Sequence, residues 1–420
     1  MSRRLHRTGG ALALLCLPFT LLAAPADADL PGATLAGLIE WAETRNPELA
    51  VAGHELDAAE AMVGSADALP DPSFSIEWRD IDADRLTLDP SRVGSTKYTF
   101  AQTFPLWGKR GLQADIARAE AERARRQRSS VSVELRARLS AAHAERWQVR
   151  ELLRLNAEQR SLLRDLERIA TARYADGLTA QSDAIRAQTE RTQLETERVR
   201  LEAERRRLGA QLNALLGRRP DAPLADPVAL SPLPAPAGFD GLQPRLLAAN
   251  PRLAAQAAAV EAAGHTRELA LAKRLPDVTF GVSPVQRGSR LDGWEVMLAI
   301  NIPLDQDARR ADVQASAARL AAAEAGQVAL ALELQQSLAG TLAAYEAAGE
   351  QERLLRTRLR PQAEAALRSA LAGYRSGRDD FTTLLEAERQ TRSARAEHLR
   401  AQVEQRLRVA ELERLVGEPL

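Results

Sequence analysis

Residues able to do covalent or metal chemistry are few and scattered in this 420-residue sequence. Cys16 is the only cysteine, and Met62 and Met297 each stand alone. No Gly-rich phosphate loop follows a predicted strand, and no Ser/His/Asp set or carboxylate pair stands out. The histidines show no ligand spacing, so no His, thiolate or Met cluster forms a metal site; they are His6, His54, His143, His265 and His398. The sequence therefore predicts no enzyme, no cofactor and no metal site.

The overall charge also excludes one class of partner. The chain has 57 basic and 57 acidic side chains, so nothing favours nucleic acid. Aromatic residues make up only 4% of the chain, while Ala, Leu, Arg and Glu dominate. This composition is typical of long helices and coiled coils and not of a compact enzyme.

The N-terminus has the features of a secretory signal peptide. Basic residues precede an apolar run over 11–24, and small residues follow it, which predicts cleavage just after Ala26 or Ala28. We assign 1–26 to the signal. The alternative is an uncleaved anchor, but the run is shorter than the ~18–20 residues that span a bilayer.

Cys16 lies within this run, and Leu14 and Leu15 precede it. Bacterial lipoprotein signals have small residues there, so we expect no lipidation. The mature chain would then have no cysteine and no disulfide. No other apolar run predicts a transmembrane helix, so any membrane crossing would use strands.

Four stretches alternate apolar and polar residues with the period of a β-strand. In the most regular one, Tyr98, Phe100 and Phe104 fall on one face, and Lys97 and Thr99 fall on the other. The four predicted strands lie at about 72–80, 95–104, 277–283 and 294–302. They form two hairpins in a chain that is otherwise helical.

Long helices follow each hairpin. The stretch from Gly111 to Tyr174 has no proline and predicts a rod of about 96 Å at ~1.5 Å per residue. Asp176-Gly177 predicts a tight turn, because glycine adopts positive φ readily. A second helix then runs to Leu216, with leucines every seven residues in the manner of a coiled coil.

The whole plan then occurs a second time. Six prolines mark a linker over 218–240, after which the motifs of the first half return at offsets between 198 and 206 residues. The repeated motifs are Asn-Pro-x-Leu at 46–49 and 250–253, Leu-Pro-Asp at 69–71 and 275–277, Phe/Ile-Pro-Leu at 104–106 and 302–304, Tyr-x-x-Gly at 174–177 and 374–377, and a Leu-x-Gly ending at 217 and 417. We therefore predict a tandem duplication, with repeats at 27–217 and 241–420. The predicted helical hairpins are 111–216 and 305–417.

Four strands cannot close a barrel by themselves, since about eight is the practical minimum. Open edges are not tolerated in hydrocarbon, so the chain is expected to oligomerise. Two, three or four copies would give 8, 12 or 16 strands, and the pattern does not choose between them. The apolar face would meet lipid and the polar face water, with Trp78, Trp107 and Trp294 near the interfaces. The alternative is a soluble β-sandwich with helices attached.

Taken together, the signal peptide, the duplication and the ordered motifs resemble those of the TolC-type outer-membrane efflux proteins. The resemblance covers essentially the whole mature chain. The junction Phe-Pro-Leu-Trp-Gly-Lys-Arg at 104–110 is most similar to the outer-membrane components of heavy-metal RND exporters of the Czc and Cus kind.

This resemblance implies a homotrimer in outer-membrane lipid. Its fold would be mainly α with a small β part: antiparallel coiled-coil hairpins forming a periplasmic α-barrel, and four strands per chain in a 12-stranded transmembrane β-barrel. The partners would be a periplasmic adaptor and an inner-membrane RND transporter. The chain would act as a passive conduit in the outer membrane of a Gram-negative bacterium.

The resemblance also places the two Tyr-x-x-Gly turns at the periplasmic tip. Tip and adaptor contacts would come from Tyr174, Gly177, Leu178, Thr179, Tyr374, Gly377, Arg378, Asp379 and Asp380. In the family, acidic residues six or nine positions after the glycine narrow the channel. Asp183 and Glu386 match those positions and are the gate candidates, while Thr383 departs from the pattern. Phe104, Pro105, Ile302 and Pro303 would form the strand–helix junctions.

Two other functions stay open at this point. The same architecture could serve drug efflux or type I protein secretion instead of metal export. A function of another class would be a periplasmic coiled-coil structural protein without a pore.

Overall fold

The computed structural model describes residues 30–82, 84, 86–228, 230 and 232–420. The predicted signal peptide and Cys16 lie outside these residues. The helices are α1 (Leu35–Arg45), α2 (Pro47–Ala66), α3 (Lys109–Ala175), α4 (Gln181–Leu215), α5 (Phe239–Ala249), α6 (Pro251–Ala272), α7 (Gln306–Leu354), α8 (Arg360–Arg375) and α9 (Phe381–Val416). The strands are β1 (Ser73–Arg79), β2 (Ser95–Phe104), β3 (Val278–Arg287) and β4 (Arg290–Ile300). The fold is mostly helical, as the composition predicts.

The four strands form one antiparallel sheet in the order β1-β2-β3-β4. Phe74 pairs with Phe100, Phe100 with Val282, and Val282 with Val296. The two predicted hairpins thus lie side by side through the β2–β3 pairing. Strands β1 and β4 are the two edges of the sheet.

The second hairpin is longer at its turn than the alternation predicts. Strand β3 continues to Arg287 instead of ending at 283, and β4 begins at Arg290 instead of 294. The polar run 286–292 hides the pattern, and a bulge follows Val285. Gly288 has φ +60, which allows the two-residue turn that joins the strands.

The longest helix, α3, has 67 residues and is about 100 Å long at ~1.5 Å per residue. It packs antiparallel against α4 and also contacts α2, α6 and α9. In the second half, the helix widens to a π segment over Leu355–Leu359, two residues before Pro361. Proline lacks an N–H group, so the regular helical ladder cannot pass through it. The sequence analysis did not predict this interruption.

Two buried asparagines join helices at matching places in each half. Asn46 accepts a hydrogen bond from the Leu49 N–H at 3.0 Å and donates to the Leu215 carbonyl at 2.8 Å. Asn250 accepts from the Leu253 N–H at 3.1 Å and donates to the Leu415 carbonyl at 2.7 Å. Each asparagine therefore caps one helix and fixes the end of another.

Three apolar clusters form the core. The first joins α1, α3 and α4 through residues such as Leu38, Leu139 and Leu212. The second joins α5, α7 and α9 through residues such as Leu242, Leu338 and Leu412. The third lies at the far end of the helical hairpins and belongs to the site below. No helix in the described part of the chain is long and apolar enough to cross a membrane.

Candidate functional site

One face of the sheet is apolar and exposed. It carries Phe74, Phe100, Phe280, Val296 and Leu298, of which Leu298 is 69% exposed. Exposed apolar patches of this kind mark contact with a membrane or another protein. The face predicted to meet lipid is thus open in the single chain.

The opposite face is polar and connected by side-chain bonds across the strands. The Thr99 and Ser283 hydroxyls lie 2.9 Å apart, as do those of Thr103 and Thr279. Lys97 Nζ lies 2.5 Å from the Glu295 carboxylate, across the intervening strand β3. Ser283 is fully buried, so the polar face is the more covered of the two.

The first strand–helix junction is fastened to the segment before β3. The Asp277 carboxylate accepts from the Leu106 N–H at 3.0 Å and from Lys109 Nζ at 2.7 Å. Trp107 Nε1 donates to the Pro276 carbonyl at 2.6 Å. Trp107 has φ +61, a strained value for a residue with a side chain, and these bonds hold it there. The junction that contains Phe104 and Pro105 therefore joins the two hairpins.

The second junction lacks a comparable bond to the segment before β1 among the described residues. Asn301 beside it accepts from the Asp277 N–H, and Gln306 Nε2 donates to the Pro303 carbonyl at 2.7 Å. The junction contains Pro303, and Ile302 and Leu304 beside it are 72% and 84% exposed. Asp71, the residue corresponding to Asp277, has no side-chain partner among the described residues. The sequence predicts two like junctions, and the structure shows one docked and one open.

At the far end of the helical hairpins, both Tyr-x-x-Gly turns lie against one apolar cluster. We call it the tip cluster; its buried members are Leu163, Leu166, Ala170, Ala184, Ala187, Leu194, Ala370, Tyr374, Phe381, Leu384, Leu385 and Ala387. Within it the rings of Tyr374 and Phe381 lie 5.3 Å apart, in a tilted arrangement. Arg173 donates to the Tyr374 carbonyl at 2.9 Å and lies 5.0 Å from its ring centroid. The helical hairpin of the first half thereby stabilises the turn in the second half.

The charged residues beside the second turn have local bonding roles. Asp380 caps α9 by accepting from the Thr383 N–H at 2.7 Å, and these bonds lower the pKa of its carboxyl. Arg378 Nε donates to the Ser376 hydroxyl at 3.1 Å. Asp379 lies against Gly373, where a side chain would clash with its carboxylate. All three side chains are exposed, as a docking surface requires.

The two gate candidates have different surroundings. Asp183 is half-buried in the first turn of α4. Burial raises the pKa of Tyr374, and the Asp183 charge adds to this shift while Arg173 opposes it. Glu386 is exposed on α9. In the first turn, Leu178 is exposed, and the half-buried Thr179 hydroxyl has no partner among the described residues.

A buried acidic pair near this end was missed by sequence reasoning. Glu190 on α4 and Glu388 on α9 are 1% and 0% exposed. Glu190 pairs with Arg389 and lies 3.6 Å from Arg392, which also lies 3.6 Å from Glu388. Burial raises the pKa of Glu388, although Arg392 opposes the shift. In sequence these residues look like surface charges, and only the packed helical bundle buries them, with Arg389 and Arg392 of α9 beside both.

The described residues contain no group of three or more His, Cys, Asp or Glu side chains that could hold a metal ion. The arrangement is that of a scaffold with a sheet that has one exposed apolar face and one polar face, and with charged residues at the far end of the helical hairpins.

The sequence profile described as outer membrane efflux protein matches residues 38–218 and 242–418. The chain belongs to the outer membrane efflux protein family. The family's members are transport channels and not enzymes. A comparison with curated proteins finds no match.

Solved structures show the same fold over nearly the whole chain. The outer-membrane channel OprN is 25% identical, with a TM-score of 0.79, over 91% of this chain and 89% of that chain. The outer membrane protein VceC of Vibrio cholerae is 20% identical, with a TM-score of 0.78, over 92% and 96%. CusC, a transmembrane channel, is 16% identical, with a TM-score of 0.79, over 95% and 96%.

Proposed function

We propose that three copies of this chain form a 12-stranded barrel in the outer membrane and act as a passive conduit from periplasm to exterior. The observation that carries the proposal is the sheet: its exposed face is apolar, its inner face is polar and cross-bonded, and both edges are unpaired. The exposed apolar face is costly in water and is satisfied by lipid. The unpaired edges are not tolerated in hydrocarbon and are satisfied by further strands, while the polar face is suited to a water-filled lumen. The coiled-coil hairpins would continue the conduit into the periplasm.

We also propose that the two halves arose by tandem duplication. The asparagine caps and two of the three clusters support this, because they use residues at near-constant spacing. Leu38, Leu139 and Leu212 correspond to Leu242, Leu338 and Leu412. The duplication supplies two hairpins for the barrel and two helical hairpins for the tunnel.

The tip would close the resting conduit and receive the periplasmic adaptor of a tripartite pump. Both turns lie at this end, and their outermost residues are exposed. Three copies of Asp183 and Glu386 around a narrow axis would repel one another, disfavour anions and attract cations. Opening would require the helical hairpin of the second half to move outward.

The pump would be an inner-membrane RND transporter for heavy-metal cations. The junction at 104–110 supports this assignment, and a conduit needs no metal ligands of its own. Growth of a deletion strain on zinc, copper, cobalt and a panel of drugs, with and without the gene, tests the substrate. Rescue on drugs alone, or restored secretion of a protein substrate, would replace the metal assignment.

The channel itself is tested by purifying the mature chain in detergent and recording single channels in a planar bilayer. We expect heat-sensitive trimers and discrete, cation-preferring conductance. A water-soluble monomer without conductance would contradict the proposal and favour a structural coiled-coil protein.

The gate assignment is tested in the same recordings. Asp183→Ala combined with Glu386→Ala should raise conductance and reduce cation preference. Glu55→Ala combined with Glu346→Ala removes the same charge from exposed positions on α2 and α7, away from both turns, and is the control. If the first double variant and the control conduct alike, these residues do not form the gate.

A further inference from the structure

The two hairpins of the sheet are paired in equivalent registers. Phe74 lies three residues after Asp71 and pairs with Phe100, five residues before Pro105. Phe280 lies three residues after Asp277 and pairs with Leu298, five residues before Pro303. The motifs therefore define matching positions in the two halves, and the strand pairing follows them.

The β2–β3 pairing joins the end of one half to the start of the other. If copies assemble in a ring, β4 of one copy meets β1 of the next at the same kind of junction. We propose that β4 and β1 of adjacent copies pair in the register that β2 and β3 adopt within the chain. The inference rests on the proposed shared barrel and specifies its seam.

Matching positions give the partners at this seam. Phe100 pairs with Val282, so Leu298 pairs with Ile76 of the next copy. Ala101 pairs with Gly281, so Ala299 pairs with Ser75 of the next copy. A slip of one residue would place apolar side chains opposite polar ones, which the two-sided sheet opposes.

The side chains brought together at the seam are complementary. On the apolar face, Ile300 would meet Phe74 and Val296 would meet Trp78. On the polar face, Glu295 would meet Arg79. Opposite charges at directly paired positions favour the pairing.

Barrel geometry gives an independent check. The pairings run from Ser75 to Thr99, Ser283 and Glu295, and the proposed seam continues to Arg79 of the next copy. Crossing the four strands of one copy therefore shifts the paired position by four residues, from Ser75 in β1 of one copy to Arg79 in β1 of the next. Equal strand number and stagger correspond to a strand tilt of about 36°, within the ~35–45° range typical of barrels.

The open junction also gains a partner. Asp277 accepts from the Leu106 N–H within the chain, so Asp71 would accept from the Leu304 N–H of the neighbouring copy. The lysine that pairs with Asp277 has no counterpart at this junction, because Asp307 occupies the position that corresponds to Lys109 in the second half. The seam between copies would thus lack the ion pair that fastens the junction within each chain.

Disulfide trapping tests the register. Cys16 is the only native cysteine, so background bonds are limited. Ser75→Cys with Ala299→Cys should give covalent oligomers on oxidation, seen on non-reducing gels and lost on reduction. Ser75→Cys with Met297→Cys is the matched control, since a two-residue offset places Cβ atoms beyond disulfide reach. Bilayer recording of both variants confirms assembly.

Each outcome decides the register. Covalent oligomers from the variant with Ser75→Cys and Ala299→Cys, and none from the control variant, support the proposed register. Trapping through Met297→Cys alone, or through neither in a conducting channel, overturns it while leaving the channel function intact. Loss of conductance in the parent protein would instead overturn the proposed function.

The missing cation gives a second test. Asp307→Lys should restore the ion pair with Asp71 and raise the temperature at which oligomers dissociate on a gel. Asp312→Lys makes the same charge change on the same helix, and both aspartates pair with an arginine three residues away. An equal rise in both variants, or a rise in neither, would contradict the proposed contact.

Discussion

The two turns at the tip share a sequence pattern but differ in packing. Tyr374 is 1% exposed and stacks near Phe381 in the tip cluster, whereas Tyr174 is 46% exposed. Leu178 beside the first turn and Ile185 in the first part of α4 are also exposed. The same four-residue motif therefore forms a packed turn in one half and an open one in the other.

The difference arises from the residues after each glycine. The second half has Phe381 where the first has Gln181, and Leu384 where the first has Ala184. It also has Asp380 as a side-chain cap, at a position where Ala180 makes none. The second turn is thus stabilised by its own aromatic residues and cap together with Arg173 of the first half, and the first turn leaves apolar side chains exposed.

The largest effect should come from removing the packed aromatic ring. Phe381→Ala creates a cavity in the tip cluster and should reduce the free energy of unfolding by ~3–5 kcal/mol. Leu178→Ala removes an exposed side chain and should change it by less than ~0.5 kcal/mol. Denaturant unfolding in detergent, followed by circular dichroism, measures both.

Leu178→Ala should instead weaken adaptor binding if the open turn is a docking surface. Pull-down of the cognate adaptor compares it with Val199→Ala, an exposed apolar residue away from the turn. Comparable unfolding losses in Phe381→Ala and Leu178→Ala would remove the distinction between packed and open turns.

Substitution of the two buried glutamates should have smaller effects on stability, and the two losses should differ. Glu190→Gln leaves Arg389 without its charged partner and should destabilise the chain by ~1–3 kcal/mol, since Arg389 is half-exposed. Glu388→Gln should cost less at neutral pH, because the buried Glu388 carboxylate forms no hydrogen bond in the described structure. Unfolding of both variants under identical conditions measures the difference. A greater loss in Glu388→Gln would reverse the assigned roles.

Glu388 should also add a pH dependence to stability. Its pKa in the folded chain is raised by burial, against the opposing charges of Arg392 and Arg389 and with the help of Glu190. Between the ordinary carboxyl pKa and this raised value, the folded state binds more protons than the unfolded state. This contribution to stability is therefore present at low pH and is lost as pH rises through the folded pKa.

Subtracting the pH profile of Glu388→Gln from that of the parent protein isolates this effect. The free energy of unfolding of the parent protein minus that of Glu388→Gln should be larger at pH 5 than at pH 8. A flat difference would show that Glu388 is not held in a desolvated site.

Much of the fold could be predicted from local patterns. Alternation gave the two faces of the sheet, and the Asn-Pro and Tyr-x-x-Gly motifs marked helix ends because caps and turns are local interactions. Strand β3 beyond Ser283 was not predicted, since the turn at Gly288 lies in a polar run. The π segment before Pro361 was also missed.

The site was harder to predict, because it depends on contacts between distant residues. Asp277 and Lys109 are 168 positions apart, and Glu190 and Arg389 are 199 apart. Nothing near Glu190 in the sequence distinguishes it from the exposed glutamates of the same helix. Burial by the other half decides its role, and local sequence does not encode that.

Substitution of the turn glycines should have a small effect, and it should be equal in the two halves. Gly177 and Gly377 have φ values of +71 and +77, so a side chain at either position is strained. A Cβ at Gly177 would meet nothing within 4 Å, and one at Gly377 would lie 3.7 Å from Arg173, an ordinary contact. Each Gly→Ala change should therefore cost only the backbone term, about 1 kcal/mol. Unequal losses would mean that the packed turn also constrains its backbone, so that the two turns differ in more than their side chains.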